Sequence, residues 1–201
     1  MRDQSRATAW CVTRWADALS PSCIMVENVP EFRDWGPVGR DGIPLASGKG
    51  KLFDAWIKAI QSHGYKTAVF ILNAADFGAA TSRQRLFVIC RKGRKAVHAP
   101  EPTHARPASG RQLPGFSLPA WRAAAECIDW SLPCPSLFAR TRPLADKTLS
   151  RIEAGLRKFV GPVVVVLRNN MHSSELSKPL FTITAGASHH GLAVPFQYKL
   201  I

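Results

Sequence analysis

The chain has 201 residues, enough for one well-buried core or one core with a small appendage. Lys and Arg number 27 against 14 acids, and the net charge of +13 points to a polyanionic partner, nucleic acid foremost, with a basic surface serving only solubility as the plainer alternative. Five cysteines, none in a Cys-x-x-Cys pair, weigh against a disulfide framework or a zinc site and suit a reducing cytoplasm; no apolar run reaches the roughly 18 residues of a bilayer span, and Met1–Arg6 lacks the apolar core of a signal peptide.

Ala7, Trp10, Cys11, Val12, Trp15 and Leu19 recur at spacings of three and four, predicting a helix over 3–19 that Pro21 ends. Ile24, Met25 and Val26 predict a short strand covered on both faces, as in a parallel sheet. A helix leading into such a strand is half of an α/β unit, so the chain is expected to begin within a fold. Residues 33–50 are rich in Gly and Pro and read as a loop. A helix is predicted from Lys51 to His63, with Leu52, Phe53, Trp56, Ile57 and Ile60 on one face and Gly64 as its stop. Strands follow at 66–72 and 85–91. Residues 92–119 are Pro-rich, basic and aperiodic, a linker or irregular segment. Helices are predicted over 121–127 and 141–159, the second with Leu144, Leu149, Ile152, Leu156 and Phe159 inward, and a strand over 162–167.

The stretch from Ile24 to Phe32 concentrates the chemistry. Three apolar residues run into Glu27, Asn28, Val29 and Pro30, and proline cannot continue the strand. Glu27 is thereby placed at the carboxyl end of a strand, where ligands bind in open α/β sheets; capping of the next helix is the structural alternative. A second stretch, Leu72 to Ile89, carries Asn73, Ala74, Asp76, Phe77 and Gly78, then Arg83 and Arg85 at a strand start. By themselves the two arginines read as exposed surface cations.

Together the two stretches resemble the C5-cytosine DNA methyltransferase family. Glu27, Asn28 and Val29 match its Glu-Asn-Val motif. Asn73 to Gly78 match its Asn-Ala-x-Asp-Tyr/Phe-Gly lead-in. Arg83 and Arg85 match its Gln-x-Arg-x-Arg motif, with Thr81 in place of the glutamine. Lys178 to Ala193 looks like a later motif of the family that supports target recognition. The resemblance implies an α/β fold: a partial Rossmann-like sheet of the S-adenosylmethionine-dependent methyltransferase kind, followed by a small irregular α+β region. It implies three parts: 1–92 from the second half of the catalytic domain, 93–176 as linker and target-recognition-like region, and 177–201 returning toward the catalytic domain. The last strands of the family's catalytic sheet pair antiparallel, which places 66–72 and 85–91 there.

The chemistry the resemblance implies starts from a poor nucleophile, carbon 5 of cytosine. In the family a cysteine thiolate adds to carbon 6, and carbon 5 then takes the methyl group of S-adenosyl-L-methionine. Charge builds on the ring, so a hydrogen bond or shared proton at N3 lowers the barrier. Glu27 would hold N3 and the amino group from a partly dry pocket, Arg85 would donate to O2, and Arg83 would brace the site or the backbone. Asn28 and Thr81 would support the substrate loop. The base must leave the duplex to be reached. Arg91, Lys92, Arg140 and Arg142 are candidate contacts to DNA phosphates, which position a protein without reading sequence.

The family's nucleophile lies in a Pro-Cys motif ahead of Glu-Asn-Val, and none precedes Glu27 here. Cys11 and Cys23 read as small core residues. Pro133-Cys134 falls after the two-arginine motif, in the wrong order, and reads as a decoy. The Phe-x-Gly-x-Gly turn of the cofactor site and its ribose-binding acid are also missing, so no cofactor-binding residue is identifiable. The opening Asp-Gln-Ser-Arg-Ala-x-Ala-Trp looks like the segment just downstream of a lost Pro-Cys loop. His189 and His190 are adjacent and lack a cluster of partners, so no metal site is expected. Three readings stay open. The chain is part of a cytosine methyltransferase acting on double-stranded DNA, inactive alone, with a separate chain as one source of the N-terminal half. It is instead a catalytically dead basic DNA-binding remnant. Or it is a truncation product without a role, exposing a bare sheet edge. A DNA-modifying role places it in the cytoplasm of a prokaryotic cell or as a phage product, with no membrane partner.

Overall fold

The structure is a computed structural model and describes residues 8–106, 118–132, 136–137, 141–159, 161–168, 171–183 and 189–195. The chain divides into two compact units. The first comprises Met1–Leu72 and Gln84–Glu101, the second Asn73–Arg83 and Pro102–Ile201. Among the described residues each unit holds one small three-stranded sheet in a mixed α/β arrangement.

In the first unit α1 (Cys11–Leu19) leads to β1 (Cys23–Asn28), and α2 (Lys51–Ser62) leads to β2 (Lys66–Asn73) and β3 (Gln84–Arg91). Strand order is β1-β3-β2. β1 runs antiparallel to β3, with Ile24, Val26 and Asn28 opposite Cys90, Val88 and Leu86. That row faces the core, where Leu86, Val88 and Cys90 are wholly buried against Trp35, Phe53, Trp56, Ile60 and Tyr65. The other row sets Cys23, Met25 and Glu27 opposite Arg91, Ile89 and Phe87. β1 is therefore an antiparallel strand with alternating burial, not the doubly covered parallel strand its apolar run predicts. Met25 is 67 % exposed, which a flexible thioether tolerates and which makes the run look more buried than it is. Cys23 is likewise exposed, and the core cysteine of this sheet is Cys90.

α2 forms as predicted. Leu52, Phe53, Trp56, Ile57 and Ile60 recur on one face, and all five pack in the core. Its start is held from a distance: the amides of Leu52 and Phe53 donate to the Trp35 carbonyl at 3.0 and 3.1 Å, satisfying two first-turn donors. Gly64 takes φ +84° just past its end and donates to the Gln61 carbonyl. Residues 33–50 are largely loop, with short 3-10 turns at Pro30–Asp34 and Ala46–Gly48. The first turn brings Phe32 into the core, where its ring stacks on Trp35 at 5.3 Å and meets Trp56 edge-on at 5.4 Å. The Trp56 indole N–H donates to the Ala9 carbonyl at 2.9 Å, tying down the start of the predicted first helix, whose described part is a 3-10 turn at Thr8–Trp10 followed by α1.

In the second unit α3 (Asp146–Lys158) packs on β4 (Val163–Val166), which lies between β5 (Ser174–Glu175) and β6 (His190–Ala193) and is antiparallel to both. All four valines of β4 are buried. α3 is shorter than the predicted 141–159. Pro143 biases Arg142 away from the helical region, and the helix begins at Asp146, whose carboxylate suits the positive end of the helix dipole. Leu149, expected inward, is 36 % exposed, whereas Ile152 and Gly155 are buried. Gly155 is needed there: the Ser173 hydroxyl lies against it and donates to the Arg151 carbonyl at 3.0 Å, leaving no room for a β-carbon. The predicted helix at 121–127 is a 3-10 turn, Ala124–Cys127.

Candidate functional site

β1 ends where the sequence says it must. Pro30 opens the 3-10 turn, and the Asn28 side-chain oxygen accepts from the Val29 amide at 2.8 Å, fixing the bend at the strand end. Glu27 sits on the face opposite the core, and it does not cap the turn that follows. Its Oε1 forms an ion pair with Arg85 Nε at 2.8 Å. Arg85 reaches it because Phe87, two residues further along β3, is the direct partner of Glu27, so carboxylate and guanidinium share one sheet face. Arg85 Nη1 also donates to the Gln84 carbonyl at 2.7 Å. The Arg85 side chain is 18 % exposed and that of Glu27 51 %. Glu27 is thus half in water in this chain, not in a dry pocket. Among the described residues, Oε2 of Glu27 and Nη2 of Arg85 carry no hydrogen bond. A carboxylate oxygen offers an acceptor and a guanidinium nitrogen offers donors, so the pair carries both kinds of hydrogen-bonding capacity on one sheet face.

Arg83 and Thr81 belong to the second unit. The segment 73–83 leaves β2 through a 3-10 turn, Ala74–Phe77, and the Ala74 amide donates to the Arg83 carbonyl at 2.9 Å. Gly78 closes the turn at φ +85°, with the His104 ring lying where a β-carbon would stand. The Asp76 carbonyl accepts from the amides of Thr103 and His104, and its carboxylate accepts from the Trp121 indole at 2.9 Å. Arg83 Nη1 donates to the Ile183 carbonyl at 2.8 Å and the Thr81 hydroxyl to the Phe181 carbonyl at 3.2 Å. Both side chains hold backbone of the third motif. Nothing local in the sequence announces these contacts, which span about one hundred residues.

The candidate phosphate contacts divide. Arg91 is exposed opposite Cys23, at the start of β1, and Glu27 lies four residues along, about 13 Å away at the usual strand rise. Lys92 is engaged within the unit: its ammonium donates to the Ser20 hydroxyl and lies 4.9 Å from the centre of the Tyr65 ring. Arg142 is exposed ahead of α3, and Arg140 lies outside the described residues. So does Cys134 of the decoy Pro-Cys pair, as does 184–188 of the third motif.

Burial pushes the Cys90 thiol up to about 11, with the neighbouring Cys23 adding to the shift. Burial also lowers the pKa of His190, helped by Arg168 and His189. Among the described residues no three His, Cys, Asp or Glu side chains converge as metal ligands, and no helix is long and apolar enough to cross a membrane. The described residues do not fit S-adenosyl-L-methionine. The described glycines with positive φ (42, 50, 64, 78, 93 and 161) cap helices or close turns, and none carries the end of a strand directly into a helix. Glu27, the strand-end carboxylate of β1, is taken by Arg85.

The structure pairs a guanidinium and a carboxylate at the end of a strand, in a basic mixed α/β chain. The chain belongs to the C-5 cytosine-specific DNA methylase family, whose model matches residues 1–117. It is 30 % identical over 131 residues to the type II methyltransferase M.AquIA of Picosynechococcus sp., a match covering 59 % of this chain and 48 % of that relative. It is 40 % identical over 52 residues to the type II methyltransferase M.SacI of Streptomyces achromogenes, covering 26 % of this chain and 13 % of that relative. The chain thus matches about half the length of the first relative and less of the second.

Proposed function

We propose that this chain is the base-holding part of a DNA (cytosine-5-)-methyltransferase, acting on double-stranded DNA with S-adenosyl-L-methionine as the family's methyl donor. The observation that carries the reading is the Glu27–Arg85 pair at 2.8 Å, at the carboxyl end of β1 and in the family's two motifs. Glu27 takes the N3 and amino edge of an extruded cytosine, and Arg85 donates to O2. Arg83 and Thr81 set the loop that leads into Arg85, and Asn28 fixes the bend after Glu27. The nucleophile and the cofactor site come from polypeptide outside this sequence, either a preceding segment of the same protein or a separate chain. The first unit's sheet is the antiparallel end of a larger Rossmann-like sheet completed by that polypeptide. The boundaries at residues 92 and 176, and the return of 177–201 toward the catalytic domain, belong to the same reading. A cytoplasmic setting in a prokaryotic cell follows from the substrate.

A half-exposed Glu27 gives the partner polypeptide and the base a definite task, which is to exclude water from the carboxylate. A carboxylate–guanidinium pair in low dielectric polarises a bound ring far more than one in water. The test compares affinities for a DNA duplex carrying one unpaired cytosine and one carrying an unpaired thymine. A good two-point contact is worth about 1–3 kcal/mol of discrimination, so the chain should prefer cytosine about fivefold or more. Glu27→Gln should erase that preference without changing the dependence on salt. Equal affinities for the two duplexes would refute base holding and leave a remnant that binds DNA by charge alone.

A further inference from the structure

Four consecutive carbonyls of the third motif are each held. Leu180 O accepts from the Ser82 amide at 2.8 Å, and the Leu180 amide donates to Ala80 O at 2.9 Å, forming a short parallel ladder around Thr81. Phe181 O accepts from the Thr81 hydroxyl, and Ile183 O from Arg83 Nη1. These donors all come from the arginine loop, 79–83. The carbonyl between the last two, Thr182 O, accepts from Arg168 Nη2. Arg168 thus holds the one carbonyl of 180–183 for which the arginine loop supplies no donor among these bonds. Arg168 lies two residues past the end of β4, and the intervening Leu167 amide donates to His189 O at 2.7 Å in continuation of the β4–β6 ladder.

We propose that Arg168 is a positioning residue for the base-holding reaction. Bonded to Thr182, it fixes residues 180–183 to the β4–β6 sheet, and residues 180–183 in turn fix the loop that carries Arg83 and runs into Arg85. The inference rests on the function proposed above for its purpose but not for its geometry. Arginine suits the position because a planar, permanently charged donor makes a strong, directional bond to a carbonyl. It also gives the Thr81 substitution a physical meaning. Backbone pairing at Leu180 brings the loop close enough for a short hydroxyl to reach Phe181 O.

Hydrogen exchange of the purified full chain, read by mass spectrometry on peptides spanning 79–83 and 178–183, tests the clamp. In Arg168→Ala the amides of Ser82 and Leu180 should exchange about tenfold faster or more, while those of β1, β3 and the β4–β6 ladder keep their wild-type rates. Arg168→Lys should restore part of the protection. Arg83→Ala removes the neighbouring bond and should give the same local pattern, which keeps the test open should Arg168→Ala fail to fold. The preference for unpaired cytosine over thymine should fall in Arg168→Ala with the salt dependence unchanged. Wild-type rates at Ser82 and Leu180 in Arg168→Ala, or opening of β4–β6 together with them, would overturn the clamp. A loosened loop with the cytosine preference intact would overturn the positioning role. Absence of that preference in the wild-type chain would count against the proposed function alone, since the exchange pattern is measured without it.

Discussion

Glu27→Gln separates a group kept for chemistry from one kept for stability. The substitution is nearly isosteric and removes the charge facing Arg85. An exposed ion pair is worth about 0.2–1 kcal/mol. This one is only part exposed, with Glu27 half in water and Arg85 mostly sheltered, which places it near the top of that range, about 1 kcal/mol. Arg85 is not left bare by the change, because Nη1 keeps the Gln84 carbonyl and a glutamine oxygen still lies beside Nε. For a chain of this length about 1 kcal/mol moves the melting midpoint by about 2–4 °C. Urea unfolding followed by tryptophan fluorescence measures it well, since Trp10, Trp35 and Trp56 all lie in the first unit's core. The expected result is a small drop in midpoint with an unchanged slope, alongside complete loss of the cytosine preference. A loss above about 3 kcal/mol would mean that the pair behaves as a buried structural bridge, and the reasoning from exposure would be wrong.

Trp56→Ala should cost about 3–5 kcal/mol, because a fully buried ring and its bond to Ala9 are lost together; Trp56→Phe should recover most of it, as urea midpoints would show. At pH 8 iodoacetamide should label Cys23 and Cys127 and spare Cys90, whose thiol is buried and held protonated with its pKa near 11, until urea exposes it; rapid labelling of Cys90 in the folded chain would contradict the core assignment. Arg142→Ala should reduce the slope of DNA affinity against salt by about 0.9, whereas Lys92→Ala should leave the slope unchanged and lower stability instead, because that ammonium is held by Ser20 and Tyr65. Gly78→Ala should destabilise the second unit, since it adds a β-carbon against the His104 ring at a φ of +85°; a neutral effect in thermal unfolding would show that the turn relaxes freely.

Much of the site is legible in sequence because its parts are local. Pro30 dates the end of β1, Gly64 the end of α2, and both motifs lie within single turns or strands. Their meeting also follows simply, since an antiparallel pair with Glu27 opposite Phe87 puts Arg85 on the same face. What stays hidden is set by partners distant in the chain. Ile24-Met25-Val26 carries no mark telling one covered face from two, because apolar side chains also occupy exposed positions. Leu149 fits a helical stripe in sequence, yet it is left 36 % exposed, and which positions of the stripe are covered depends on partners distant in the chain. Lys92 looks like any surface cation until Tyr65 and Ser20 are placed beside it. The bonds from Arg83 and Arg168 to consecutive carbonyls are invisible for the same reason: a carbonyl has no sequence signature, and the contacts are fixed only when residues 180–183 lie against the loop.

The threading of the two units constrains how this gene can be cut and exchanged. Residues 73–83 interrupt the first unit and belong to the second, so no single breakpoint separates them. Ending the chain after Leu72 would remove β3, the central strand that carries Arg85, and ending it after Glu101 would strand the arginine loop without residues 180–183. Exchanging the second unit of this chain therefore needs the 73–83 insert to travel with its matching carboxyl-terminal part, through two coordinated crossovers. Swaps made at the obvious Pro-rich junction alone would join an arginine loop to a strap that was never shaped for it.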